Sequence, residues 1–330
     1  MPRGKPSPGP RRPTLRDVAQ AAGVSIWTAS KAYSAPDRVA EVTRQRVLAA
    51  ATELGFTGPD PGGRTLALGR TATICLAAGD DEAAMLLTDP AARLVAEGLL
   101  ATCDRAGYAL LIAGRPEGRA ADGLALFRGK PREVLRGPAV VIDGRASGGA
   151  AAVTADVAGG AAAVADHLRQ LGHERIAVLA YPGARERLAG VARGWAGREP
   201  LRVFGAAAEA GRPGWPTRGD GEAAARAALA ATPRPTALLA LSDTLALGAL
   251  DCARWMGLSI PRDLSIAGLD DLPGSDALGL TTALVPYRPL GELAGDVLVR
   301  SLEGEPPAPS PELPSALAVR ASTGPPAPAS

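Results

Sequence analysis

The chain has 330 residues, 46% of them hydrophobic but only 3% aromatic, so it is long enough for two or three compact units whose cores must be built from Ala, Leu and Val. Net charge is +2, yet residues 1–70 hold 11 Lys and Arg against 5 Asp and Glu, while the remainder holds 25 against 29. A basic head on a mildly acidic body points the head toward nucleic acid, and three scattered cysteines, with no CxxC and no metal-ligand spacing, exclude a disulfide scaffold and a structural metal.

Residues 1–13 are Pro- and Arg-rich and lack an apolar leader stretch. They are expected to be a disordered basic arm. No run approaches the roughly 18 apolar residues of a membrane span, so a soluble, cytoplasmic protein with no membrane partner is expected.

Residues 14–57 follow as short helices. In TLRDVAQAAGVSIWTASKAYS (14–34), Leu15, Val18 and Ala19 make one apolar face at helical spacing. Gly23 breaks the helix, and Ser25 is placed to cap a second one. Two short helices around a Gly turn, the second capped by Ser, fit a helix-turn-helix, with an ordinary αα corner as the alternative. The second helix offers Ile26, Trp27, Ser30 and Lys31 on its outer face, and VAEVTRQRVLAAATELGF (39–56) supplies a third helix to close a small bundle. Residues 58–71, two prolines and four glycines around RTLALGRT, have linker composition.

From residue 72 the pattern changes. Apolar runs at 73–78, 109–113, 123–127, 139–143, 175–181, 236–242 and 264–270 alternate with helical patterns near 90–106, 158–171, 220–231, 243–257 and 287–302. Buried parallel strands separated by helices predict two doubly wound α/β lobes over residues 72–323. A last strand is expected within 316–322, and a disordered tail over 324–330. Between ALLIA and GLALF only about nine residues remain, too few for the helix that a parallel crossover ordinarily carries.

The headpiece run closely resembles the lactose-repressor (LacI/GalR) family of bacterial transcription regulators, whose pattern is T-x-x-D-V-A-x-x-A-G-V-S-x-x-T-V-S-R followed by V-x-x-x-T-R-x-x-V-x-x-A-x-x-x-L-G-Y. Ala29, Lys31 and Phe56 are mild departures. The body carries similar stretches: ADHLRQLGHERIAVL, RERLAGV, RPTALLALSDTLALGAL, GLSIPRDLSIAGLDDL and LTTALVPYRPLGELA. The likeness covers about residues 14–323. It implies a small all-α headpiece on a two-lobed body like a periplasmic binding protein. The expected function is that of a sequence-specific repressor, binding double-stranded DNA at a palindromic operator as a homodimer. A small sugar-like or related metabolite between the lobes would modulate it.

By the same resemblance Thr14, Ser25, Ile26, Trp27, Thr28, Ser30 and Lys31 face DNA, with Arg64 beside the backbone and Leu66 wedged into the minor groove. Gly62 and Gly63 stand where Ala is usual, which weakens the hinge helix. Arg187, Asp270, Trp215, Ser242 and Asp156 are the candidate effector residues. In the N-lobe the family's N-P-F-F appears as Asp89-Pro90-Ala91-Ala92, so two rings are expected to be missing from that wall.

The competing class is a solute-binding protein of a transport system, which the body alone would allow and the headpiece opposes. An enzyme is not expected. Only His167 and His173 occur, His173 in a structural turn, and no nucleophile elbow, P-loop or dinucleotide fingerprint follows a strand. No cofactor is expected.

Overall fold

The computed structural model describes residues 13–34, 39–56, 70–78, 83–114, 120–129, 137–146, 149–196, 201–205, 215–305 and 312–327. The chain divides into two compact units, residues 1–72 and 73–330.

The first unit is a three-helix bundle: α1 (Leu15–Ala21), α2 (Ile26–Ser34) and α3 (Glu41–Glu53). Thr14 starts α1 with a reciprocal capping box to Asp17. Gly23 sits in the left-handed region (φ +63°), where a side chain would be strained, and turns the chain into α2. Ser25 Oγ accepts from the Thr28 N–H at 3.0 Å and so caps α2. Val18, Ala19, Ala22, Ala29, Ala32, Val47, Ala50 and Ala51 form the buried core, with Tyr33 meeting Phe56 edge-on at 6.1 Å. The small residues let three short helices approach closely, which compensates for the scarcity of large side chains.

The second unit holds two six-stranded sheets. The N-lobe sheet has the order β11-β5-β4-β3-β1-β2, all parallel: β1 (Thr73–Ala78), β2 (Ala109–Ile112), β3 (Gly123–Phe127), β4 (Ala139–Ile142), β5 (Ala151–Ala155) and β11 (Glu312–Leu313). The C-lobe sheet has the order β12-β10-β9-β8-β6-β7: β6 (Ile176–Ala180), β7 (Arg202–Gly205), β8 (Ala237–Ala240), β9 (Ser265–Asp270), β10 (Thr281–Leu284) and an antiparallel β12 (Ala316–Ala318). Matched by position, β6 to β10 repeat β1 to β5. Among the described residues the chain passes between lobes three times, after β5, after β10 and after β11.

Helices α4 (Ala83–Thr88), α5 (Pro90–Ala106) and α10 (Tyr287–Leu302) cover one face of the N-lobe sheet. Gly98 and Gly291 allow α5 and α10 to pack backbone to backbone; a Cβ on either would collide with the facing main chain. In the C-lobe, α6 (Val157–Gln170) and α7 (Arg185–Gly194) cover one face, and α8 (Arg218–Leu229) and α9 (Asp243–Trp255) the other. The connections from β2 to β3 and from β3 to β4 span only residues 113–122 and 128–138, and no helix occurs among their described residues. The short crossover expected from the sequence is therefore matched by a second one. Among the described residues, that face of the N-lobe sheet carries a small buried cluster of Cys75, Ala77, Ala113, Leu124 and Leu126, with Leu111, Ala121 and Ala139 packed against it.

The end of the chain is fastened to the C-lobe. Ser322 Oγ accepts from the Thr281 N–H and donates to the Ile266 carbonyl, at 2.8 and 2.6 Å. The buried His173 ring lies 2.8 Å from Thr236 Oγ1, and its Nε2 donates to the Gly324 carbonyl at 3.0 Å. The described chain thus continues to residue 327, past the expected tail start at 324, because Gly324 is hydrogen-bonded rather than loose. All three cysteines are buried and reduced. No helix among the described residues is long and apolar enough to cross a membrane.

Candidate functional site

Two places concentrate the predicted residues. The first is α2 of the bundle. Its inward residues Ala29 and Ala32 are buried, so its opposite side must face out. Trp27 is 67% and Ile26 45% exposed, and Lys31 Nζ sits 5.9 Å from the Trp27 ring centre. Ile26 and Trp27 give the helix an exposed apolar surface at its N-terminal end, the end that enters a major groove in a helix-turn-helix, and Lys31 adds a charge one turn further on. Ser25 and Thr28 share a 2.8 Å hydroxyl contact and cap α2, and Ser30 is half-buried on the same helix. Thr14 uses its hydroxyl on Asp17, donating at 2.7 Å. Its placement is first of all that of a helix start. Arg64, Leu66, Gly62 and Gly63 lie outside the described residues.

The second place lies between the lobes, at the C-terminal ends of the strands, where doubly wound sheets bind ligands. Arg187, in the first turn of α7, is 5% exposed. Its Nη1 donates to the Leu241 carbonyl at 2.7 Å, and its Nη2 lies 2.7 Å from Asp270 Oδ1 and 2.8 Å from Tyr287 Oη. Asp270 ends β9, and Tyr287 begins α10. The Tyr287 hydroxyl donates to Asp270 Oδ1 at 2.6 Å. It also accepts from Arg128 Nη2 at 3.1 Å. One donor and two acceptor positions are thereby filled, the full capacity of a phenol.

Arg128 follows β3 directly, and Asp143 follows β4. Arg128 Nε donates to Asp143 Oδ2 at 2.5 Å, and Nη1 lies 3.8 Å from Asp89, the N-cap of α5. Its guanidinium carbon is 4.8 Å from the Phe127 ring, 4.8 Å from Trp215 and 5.7 Å from Tyr287. Arg128, Asp143 and Asp270 all have positive φ, of 50°, 55° and 143°. Non-glycine residues pay strain for that backbone, and such strain collects at functional sites.

The electrostatics follow the geometry. Burial alone would lower the pKa of Arg187, but the Asp270 charge beside it outweighs that and holds it well above the usual arginine value. Burial works against ionised Asp143 as well, and the Arg128 charge and hydrogen bond prevail, holding its carboxyl below the usual range. Burial pushes the Tyr287 phenol well above its ordinary value, although Arg187 opposes it, so the hydroxyl keeps the proton it donates to Asp270. Burial also raises Asp89, against the pull of Arg128.

The structure therefore brings Arg187, Asp270 and Trp215 together around Arg128 and Tyr287. Ser242 and Asp156 are helix caps. Ser242 Oγ accepts from the Leu245 N–H at 3.2 Å, and Asp156 Oδ1 accepts from the Gly159 N–H at 2.5 Å. No hydrogen bond described for either side chain reaches Arg187 or Asp270. Next to Ser242, buried Asp243 accepts from Ser275 and Thr282 hydroxyls at 2.6 Å and from the Leu272 N–H at 3.0 Å. It clamps the loop that follows Asp270, and burial, then the Asp270 charge, push its carboxyl up to about 6.

Ala91 and Ala92 do not leave a bare wall. Both are buried in the N-lobe core, and the rings at the site come from Phe127, Trp215 and Tyr287 instead. Arg128, Asp143 and Tyr287 escaped the sequence reading, although each of the first two is a polar residue set immediately after a buried strand.

Residues 14–58 match the model for bacterial regulatory proteins of the lacI family, and residues 165–323 match that for a periplasmic binding protein-like domain. The HTH-type transcriptional regulator Rv3575c of Mycobacterium tuberculosis is 31% identical over 340 residues, covering 89% of this chain and 92% of that one. The chain belongs to the LacI family. Among solved structures, the lac repressor dimer bound to operator and the anti-inducer ONPF has a TM-score of 0.75 at 25% identity, covering 95% of this chain and all of that one. A CelR–cellobiose complex has a TM-score of 0.64 at 27% identity, covering 94% and 100%. The protein is accordingly a DNA-binding transcriptional regulator of the LacI family and not an enzyme, and the transport-protein alternative falls away. Its helical headpiece and two parallel-sheet lobes share the architecture of the lac repressor.

Proposed function

We propose that this LacI-family repressor binds a palindromic operator as a homodimer, and that a small polar metabolite acts on it between the lobes. The observation that carries the effector part is the buried Arg187–Asp270 pair, set where the two lobes meet and where the chain crosses between them. A guanidinium fork and a carboxylate side by side suit paired hydroxyls, as on a sugar. The Tyr287 ring stands beside that pair, with Phe127 and Trp215 around Arg128. The solved lac repressor is a dimer on its operator, and CelR was solved with cellobiose; both facts support the reading. Ile26, Trp27 and Lys31 would then read bases in the major groove, with Ser25, Thr28 and Ser30 at the groove wall and Thr14 at the backbone. Arg64 and Leu66 would engage the minor groove.

The test is selection from a random duplex pool with the full chain at fixed salt, repeated with Leu66→Ala and with Trp27→Ala. A palindromic motif that weakens with Leu66→Ala and changes sequence with Trp27→Ala is expected. Enrichment of single half-sites would remove the dimer from the reading. For the cleft, a sugar panel is screened by thermal shift, with Arg187→Ala expected to abolish any hit.

A further inference from the structure

Arg128 is the side chain at the interlobe site that the effector reading leaves without a role. It comes from the N-lobe, and so do its polar partners; from the C-lobe side the Trp215 ring lies against it, and its partner Tyr287 carries the hydrogen bonds across. Asp143 takes its Nε, the Tyr287 hydroxyl takes its Nη2, and that same hydroxyl meets both Arg187 and Asp270. The series Asp143, Arg128, Tyr287, Asp270, Arg187 and the Leu241 carbonyl joins the strand ends of one lobe to those of the other without a break. Around the guanidinium stand three aromatic rings and, at 3.8 Å, the Asp89 carboxylate. Only eleven aromatic residues occur in the whole chain, so three at one guanidinium is a marked concentration.

We propose that Arg128 is a tethered occupant of the interlobe site: its guanidinium fills an aromatic and acidic box as a ligand would and, through Tyr287, latches the two lobes together. This rests on reading the interlobe site as the effector site. The box fits a planar cation. A neutral ring in its place would leave Asp143 buried without its counter-charge, and an anion would meet Asp89, Asp143 and Asp270. Rings and carboxylates together are the environment that selects a guanidinium or an amidinium. A tethered group also acts at high effective concentration, so the latch needs no compound from solution.

The test is chemical rescue in the full chain. Arg128→Ala should scatter as a more open particle than the wild type and melt at lower temperature. Millimolar methylguanidinium should restore both properties, while methylammonium at the same concentration should restore neither. The wild type and the Arg128→Ala/Asp143→Asn double variant should not respond. A folded Arg128→Ala protein with wild-type scattering, or one that methylguanidinium leaves unchanged, would overturn the latch. If Arg128→Ala does not fold, Tyr287→Phe removes only the shared hydroxyl and should still open the lobes; unchanged scattering there overturns the proposal too. Rescue seen alongside a sugar panel that never alters operator binding would sink the effector reading and leave the latch standing.

Discussion

The two lobes repeat one strand order, and they differ in what covers the sheets. In the C-lobe, α8 and α9 build a second-face cluster of sixteen buried residues; the equivalent N-lobe face has five among the described residues. The N-lobe nevertheless delivers as much to the interlobe site. Each lobe presents an Arg–Asp pair there, Arg128 with Asp143 and Arg187 with Asp270. A doubly wound sheet can thus be thinned on one face while its strand C-termini keep their chemistry, because those ends are held by the other face. In the N-lobe that means α5 and α10, which supply the Asp89 cap and Tyr287.

The comparison is sharpest at the charges. Arg187→Met should cost about 3–5 kcal/mol in urea unfolding, because Asp270 is left buried beside a neutral neighbour. Arg128→Met should cost as much if the thinned N-lobe is as tightly closed at the site. A much smaller loss would mean that water reaches Asp143, and the equivalence of the two pairs would break.

The thin face itself is tested by a matched pair of truncations. Leu238, on β8, is fully buried in the large cluster, and Leu124, on the equivalent β3, is 6% exposed in the small one. Leu238→Ala should cost about 4 kcal/mol and Leu124→Ala about 2 kcal/mol, since a thin layer collapses more easily into the space. Equal losses would show that the short N-lobe connections pack as well as helices do.

Acid should find the N-lobe pair. The Asp143 pKa is depressed in the folded state, so its stabilisation is complete above the unfolded value of about 3.9 and is lost as pH falls through the lower folded value. Melting temperature should decline along that limb, and Asp143→Asn, less stable at neutral pH, should show a shallower decline. A parallel pair of curves would exclude this carboxylate as the cause. The smallest effect belongs to the separate headpiece: Thr14→Ala removes the capping box and should lower its stability by about 1 kcal/mol, leaving the body's melting transition unchanged.

Where strands were rich in Leu, Ile and Val, as at 73–78, 139–142 and 265–270, the sequence pattern located them to within a residue or two. It passed over β5 (AAVTA), β7 (RVFG) and β10 (TTAL), segments of four or five residues with too few large apolar side chains to separate strand from loop. Burial of those segments is decided by the neighbouring strands. The site divides the same way. Arg187, Asp270 and Trp215 were legible because they sit in runs that match a family pattern. Arg128 and Asp143 look like ordinary turn residues, fifteen positions apart, until the parallel pairing of β3 with β4 sets their strand ends side by side. Tyr287 needed the C-lobe to N-lobe crossing that no local pattern announces.

That interleaved path bears on how the protein is made. The headpiece bundle is complete once residue 56 has been synthesised, and it can fold while the rest is still being translated. The N-lobe, by contrast, lacks α10 and β11 until residue 313, and the C-lobe lacks β12 and its histidine-fastened strap until residues 316–324 emerge. A nascent chain therefore presents a finished DNA-binding module on the ribosome well before either lobe can close.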